Sequence, residues 1–109
     1  MQPVSSINIL LVDNEPANLL GLDSILNGLG ANLVHAASGE EALRHVLKID
    51  FALIILDFLM PGMDGLETAE IIRSRFPDTP ILFMTAVDDF PIEKVYSTKI
   101  TNRLIIKIL

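Results

Sequence analysis

The stretch FALIILDFLMPGMDG, residues 51–65, decides how this chain is read. Phe51, Ala52, Leu53, Ile54, Ile55 and Leu56 are apolar without interruption. A short run rich in Ile and Leu suits a strand buried on both faces of a parallel sheet, although a buried helix segment would look the same over so few residues. The flanks arbitrate. The run gives way to Pro61, Gly62, Asp64 and Gly65, and that turn chemistry favours a strand. Asp57 comes directly after the run and so stands at the strand's carboxyl end, the edge where open α/β sheets bind ligands. Taken alone, Asp57 also reads as a helix or turn cap.

Working outward, INILLV (residues 7–12) is another apolar run, closed by Asp13, Asn14, Glu15 and Pro16. A helix is expected to open near Pro16, because proline's missing N–H has no partner in a first helical turn. Leu19, Leu20, Leu22, Ile25, Leu26 and Leu29 recur at helical spacing, and Gly28 and Gly30 close the helix. NLVHA (residues 32–36) is a shorter, less apolar strand that suits a place near a sheet edge. Ser38 followed by Glu41 forms a capping box opening a second helix, with Ala42, Leu43, Val46 and Leu47 as its apolar stripe. His45 falls at a solvated margin of that helix, and His35 reads as structural.

Residues 65–76 (GLETAEIIRSRF) read as a third helix with Leu66, Ala69, Ile72 and Phe76 facing inward. Pro77 to Pro80 halt it. ILFM (residues 81–84) is a fourth strand ending at Thr85. Residues 88–98 carry a weaker helical pattern with Pro91 in the first turn, and residues 104–106 (LII) form a fifth strand ending at Lys107. The order βαβαβαβαβ implies an α/β domain with a parallel sheet, helices on both faces and right-handed crossovers.

Composition narrows the function classes. A chain of 109 residues, half of them hydrophobic, suffices for one domain with one core. No apolar run approaches the length of a membrane span, and residues 1–6 show no signal-peptide pattern. With no cysteine, disulfides and thiolate metal sites are excluded, and a cytoplasmic setting fits. Two histidines without cysteines argue against a histidine metal site. Eight basic and fourteen acidic residues, a net charge of −6, argue against direct nucleic-acid binding by these residues.

The strand ends carry the chemistry. Asp13, Asn14 and Glu15 follow the first strand, Asp57 the third, Thr85 the fourth and Lys107 the fifth. In a parallel sheet these ends point one way. If the first and third strands are neighbours, Asp13 and Asp57 share the crevice at the topological switch point. Two carboxylates there suit a hard cation such as Mg²⁺, which takes few protein oxygens and keeps several waters. A divalent cation, a lysine and a hydroxyl around one carboxylate are what a phosphoryl group requires while that carboxylate attacks phosphorus.

On LLVDNEP (residues 10–16), LDFLMPGMDG (residues 56–65), FMTA (residues 83–86) and Lys107, nearly the whole chain resembles the receiver domains of two-component response regulators, the CheY-like family. The resemblance implies a flavodoxin-like, doubly wound five-stranded parallel sheet in the order 2-1-3-4-5. It implies that Asp57 accepts a phosphoryl group from a sensor histidine kinase or a phosphotransfer protein. Asp13, Asn14, Asp57 and the backbone carbonyl of Leu59 would be the Mg²⁺ ligands, with Thr85 as the switch hydroxyl and Lys107 as the phosphate-binding lysine. Such a domain is a switch and not a turnover enzyme. A haloacid-dehalogenase-like phosphatase would need a second aspartate where Leu59 stands.

The sequence departs from the family pattern in four places. Asn14 replaces the second acid of the first loop, which removes one negative charge from the metal site. Ile108 replaces the proline after the lysine, and Leu104 stands where an aromatic residue is common. The chain also ends before a fifth helix, so residues 1–109 are expected to be a receiver truncated at its C-terminus. The bared apolar face would permit a homodimer. The output domain is expected outside this chain. The alternative reading is a degenerate receiver that binds partners without phosphorylation.

Overall fold

The apolar runs become parallel strands: β1 (Asn8–Val12), β2 (Asn32–Ala36), β3 (Leu53–Asp57) and β4 (Ile81–Thr85). The computed structural model describes residues 7–85 and 105–107, with residues 85 and 105–107 described by their backbone. Helices α1 (Pro16–Leu26), α2 (Gly39–Val46) and α3 (Gly65–Arg75) provide the crossovers. The sheet order is β2-β1-β3-β4, and a short segment, β5 (Ile105–Lys107), runs parallel beside β4. The helix expected over residues 88–98, the surroundings of Tyr96 and Leu104, and the chain after Lys107 lie outside the described residues.

Alternation along each strand splits the core into two layers. Leu10, Val12, Ile54, Leu56, Ile81 and Phe83 face α2 and α3, where they meet Ala42, Val46, Leu66, Ala69 and Ile72. Ile9, Leu11 and Ile55 face the other way and pack with Leu19 of α1 and the half-buried Leu22 and Leu26. A strand covered on both faces needs apolar residues through its centre, which is why Ile9–Val12 of β1 and Leu53–Leu56 of β3 appear in the sequence as unbroken apolar runs. Among the described residues β2 pairs with β1 alone, and it is half-buried over its middle, in keeping with its weaker apolar character.

The helix signals were largely local chemistry. Ser38 Oγ accepts the Glu41 N–H at 3.1 Å and caps α2. Its acidic first turn and basic last turn both suit the helix dipole. Asp64 does the same for α3, accepting the Glu67 N–H at 2.8 Å. His35 bonds through Nε2 to the Asp23 carboxylate at 2.7 Å, tying β2 to α1, which agrees with a structural role.

The apolar stripe expected on α1 is narrower than the sequence indicates. Leu19 is buried, but Leu20 and Ile25 are 66% and 76% exposed. At 100° per residue Leu19, Leu22 and Leu26 share one stripe, whereas Leu20 and Ile25 lie to either side of it. Leu47, expected in the α2 stripe, stands at that helix's C-cap and is 60% exposed. The third strand also begins later than the apolar run. Phe51 is buried but precedes the ladder, and Asp57 is the last ladder residue, not the first beyond it.

Candidate functional site

Strand register brings the acidic residues together. Val12 lies opposite Leu56 across the β1–β3 pair, so Asp13 and Asp57 are adjacent at the carboxyl edge. This edge is the switch point, since the chain leaves β1 toward β2 on one side and returns to β3 on the other. Along the same edge Asp57 pairs with Met84, and Thr85 with Lys107. The backbone thus sets Asp13, Asp57, Thr85 and Lys107 at one end of the sheet. The side chains of Thr85 and Lys107 lie outside the described residues.

Asp13 is only 7% exposed. Its carboxylate is held on both sides: Oδ1 accepts the Glu15 N–H at 2.9 Å, and Oδ2 accepts the Asn18 side-chain N–H at 3.1 Å. Its own amide donates to the Ala36 carbonyl at 3.1 Å, fixing it to the end of β2. Asn14, half-buried, and exposed Glu15 complete the loop before Pro16 starts α1.

Asp57 accepts the Leu59 N–H at 3.3 Å, a local turn bond of the kind a capping aspartate makes. Its electrostatics are not those of a simple cap. Burial, then the charge of Asp13, push its carboxyl up from 3.8 to about 6, and the Leu59 and Phe58 backbone amides only partly oppose them. No basic side chain is among the groups acting on it in the described residues. Two carboxyl groups adjacent at one sheet edge, one of them pushed up to about 6, form an arrangement that a cation would relieve.

The loop between Asp57 and α3 is pinned from below. Phe58 and Met60 are buried, and Phe58 meets Phe83 edge to face with centroids 5.9 Å apart. Leu59 between them is 53% exposed. Gly62 takes a positive φ of 74°, which admits glycine readily. Gly65 donates its N–H to the Phe58 carbonyl at 3.0 Å, and a Cβ on it would fall against the Asp57 carbonyl oxygen. Glycine therefore lets the start of α3 close directly on the backbone that carries Asp57.

The donor chemistry fits Mg²⁺. Asp13, Asn14, Asp57 and the Leu59 carbonyl are all oxygen donors, two of them carboxylates, and this ion keeps waters in its remaining positions. Among the described residues no group of three His, Cys, Asp or Glu side chains could hold a metal, so any ion here would rely on neutral oxygens and water as well. The sequence reading missed Asn18. A polar residue in a helix's first turn looks like ordinary solvated surface, and only the fold shows its amide reaching back to Asp13. A cavity of about 220 Å³, lined by Val46, Ile49, Phe51, Ile54, Ile72 and Phe76 among others, lies at the opposite end of β3 from Asp57.

Comparison with known proteins agrees with this geometry. The family model of the response regulator receiver domain matches residues 9–107. The chain is 44% identical over 81 residues to the transcriptional activator protein ExaE of Pseudomonas putida, a match covering 72% of this chain and 38% of that protein. It is 38% identical over 81 residues to the transcriptional regulatory protein ZraR of Escherichia coli, covering 74% of this chain and 18% of that protein. The chain therefore spans well under half the length of these curated relatives. Among solved structures, the response regulator TrrA of Thermotoga maritima, in complex with Mg²⁺-BeF, superposes with a TM-score of 0.83 at 32% identity, covering 94% of this chain and 88% of that one. The chemotaxis protein CheY4 of Vibrio cholerae gives 0.81 at 29% identity, covering 93% and 85%. An α/β flavodoxin-like fold, a parallel sheet with paired carboxylates at its switch point and a family match along almost the entire chain lead to one conclusion: this chain belongs to the response regulator receiver domains of two-component signalling.

Proposed function

We propose that Asp57 is the phosphoacceptor of a two-component phosphorelay. The observation that carries this reading is the juxtaposition of Asp57 with buried Asp13 at the switch point, where burial and then the Asp13 charge raise the Asp57 carboxyl to about 6. Asp13, Asn14, Asp57 and the Leu59 carbonyl would hold Mg²⁺, which when bound neutralises charge and keeps Asp57 ionised at neutral pH. An Asp57 carboxylate oxygen then attacks phosphorus in line. One O–P bond forms, and the P–N bond to a histidine of a sensor kinase or phosphotransfer protein breaks. The Thr85 hydroxyl and the Lys107 ammonium receive the phosphate oxygens.

The complete receiver has five strands in the order β2-β1-β3-β4-β5. Phosphorylation shifts the population between two packings around β4 and β5, and that shift is read by an output domain in the same or another chain. The transcriptional relatives make a DNA-binding output a reasonable expectation, while this domain itself contacts no nucleic acid. It works in the cytoplasm, as a switch without substrate turnover. Ile25, 76% exposed on α1, offers a second copy of the chain an apolar contact.

The test is intact mass after incubation with acetyl phosphate, with and without Mg²⁺, beside Asp57→Asn. A metal-dependent gain of one phosphoryl group, absent in the variant, is the expected result. No gain, also in a chain extended past Leu109, would instead support a receiver that binds partners without phosphorylation, for which Asn14 is the motivating residue.

A further inference from the structure

We infer that Asn18 is a positioning residue for the acidic site, holding the Asp13 carboxylate in the orientation that receives a divalent cation; the inference rests on the metal reading above. Asp13 is a buried charge at a strand end, and two donors fix it. Glu15 binds Oδ1 through its backbone N–H, and Asn18 binds Oδ2 through its side-chain amide. A carboxylate has about four lone-pair sites, so two amide donors leave capacity on both oxygens for a cation. The Glu15 bond comes with the backbone turn. The Asn18 bond depends on one replaceable side chain, reaching from the first turn of α1.

The chemical type matters as much as the contact. The Asn18 amide is neutral, so it orients Asp13 without cancelling the charge that a cation would seek. A lysine or arginine reaching the same oxygen would occupy the site electrostatically. Without the amide, repulsion from Asp57 is free to turn the Asp13 carboxylate away, and binding a cation must first restore its orientation. Replacing outer-shell partners of this kind commonly costs about 10–100-fold in metal affinity.

Asn18 is exposed, so its replacement leaves the core intact. The experiment is Mg²⁺ titration calorimetry on the wild-type chain, Asn18→Ala, Asn18→Gln and, as a control on the exposed side of α1, Ser24→Ala. Melting in EDTA is measured alongside. Asn18→Ala is expected to weaken Mg²⁺ binding on the order of tenfold, with Asn18→Gln, which retains the amide, recovering most of the loss. Melting in EDTA should move little, because an orienting role shows in affinity and a purely structural one in the apo melt. A wild-type affinity in Asn18→Ala overturns the inference alone, as does a lowered apo melt without a change in affinity. A wild-type chain that takes up no Mg²⁺ overturns the metal reading and this inference with it.

Discussion

At the scale of single residues, the Asp57 carboxyl is held far from its ordinary value. Its folded value of about 6 lies above the ordinary 3.8, so the folded state binds that proton more tightly than the unfolded chain does. From about pH 4 to 6 the unfolded state is the more readily ionised, and this group's contribution to stability therefore falls as pH rises through that window. Asp57→Asn removes the penalty. In EDTA the variant should match wild type near pH 4 and exceed it by about 1 kcal/mol above pH 6, after allowance for solvent screening at a half-buried site. That corresponds to roughly 4–8 °C in melting temperature. Denaturant melts across this pH range check it, and a variant less stable than wild type at neutral pH without metal would contradict the account.

At the scale of elements, the β3–α3 connection is the most constrained. Phe58 and Met60 anchor it, Asp64 caps the helix, and Gly65 lets the helix start touch the Asp57 backbone. Gly65→Ala places a methyl group against the Asp57 carbonyl and the Phe58 backbone, neither of which is the end of a flexible side chain. The expected cost is about 2–3 kcal/mol, with disturbed Asp57 and Leu59 amide resonances in the NMR spectrum. An unchanged melt would show that the loop has more slack than its packing implies. Much at this scale was legible in the sequence. Pro16, Ser38 with Glu41, and the block from Pro77 to Pro80 mark boundaries by local chemistry, so the elements fell close to their expected limits. What was not legible depended on contacts between elements. Leu20 and Ile25 satisfy a helical spacing without facing the sheet, and Asn18 reveals its partner only when α1 is docked over the end of β1.

At the scale of the whole molecule, a cation held by the paired carboxylates would link its binding to folding. A ligand that binds only the folded state raises stability by mass action, by about 2.7 kcal/mol when present at a hundred times its Kd. Mg²⁺ should therefore raise the melting temperature of the intact domain. Asn14→Asp, which restores a second acid to the loop, should reach the same increase at lower Mg²⁺. Thermal melts across a Mg²⁺ series test this, and identical midpoints for the two proteins would remove Asn14 from the ligand set. Fold class and the meeting of Asp13 and Asp57 at one sheet edge were readable at this scale because alternating apolar runs and strand-end polar residues encode both. Among the described residues no helix is long and apolar enough to cross a membrane, in line with the hydropathy pattern.

The strand order has a consequence for biosynthesis. β1 is made first and finds β2 as its earliest neighbour, but Asp13 meets Asp57 only after β3 has crossed back to the other side of β1. Translation at roughly 5–20 residues per second puts several seconds between the appearance of the two aspartates. Over that interval one edge of a strand apolar from Ile9 to Val12 waits without its partner. The nascent chain is thus most exposed to misassociation just before the two carboxylates can meet, and one pairing event, β3 against β1, covers that edge and brings Asp13 and Asp57 together.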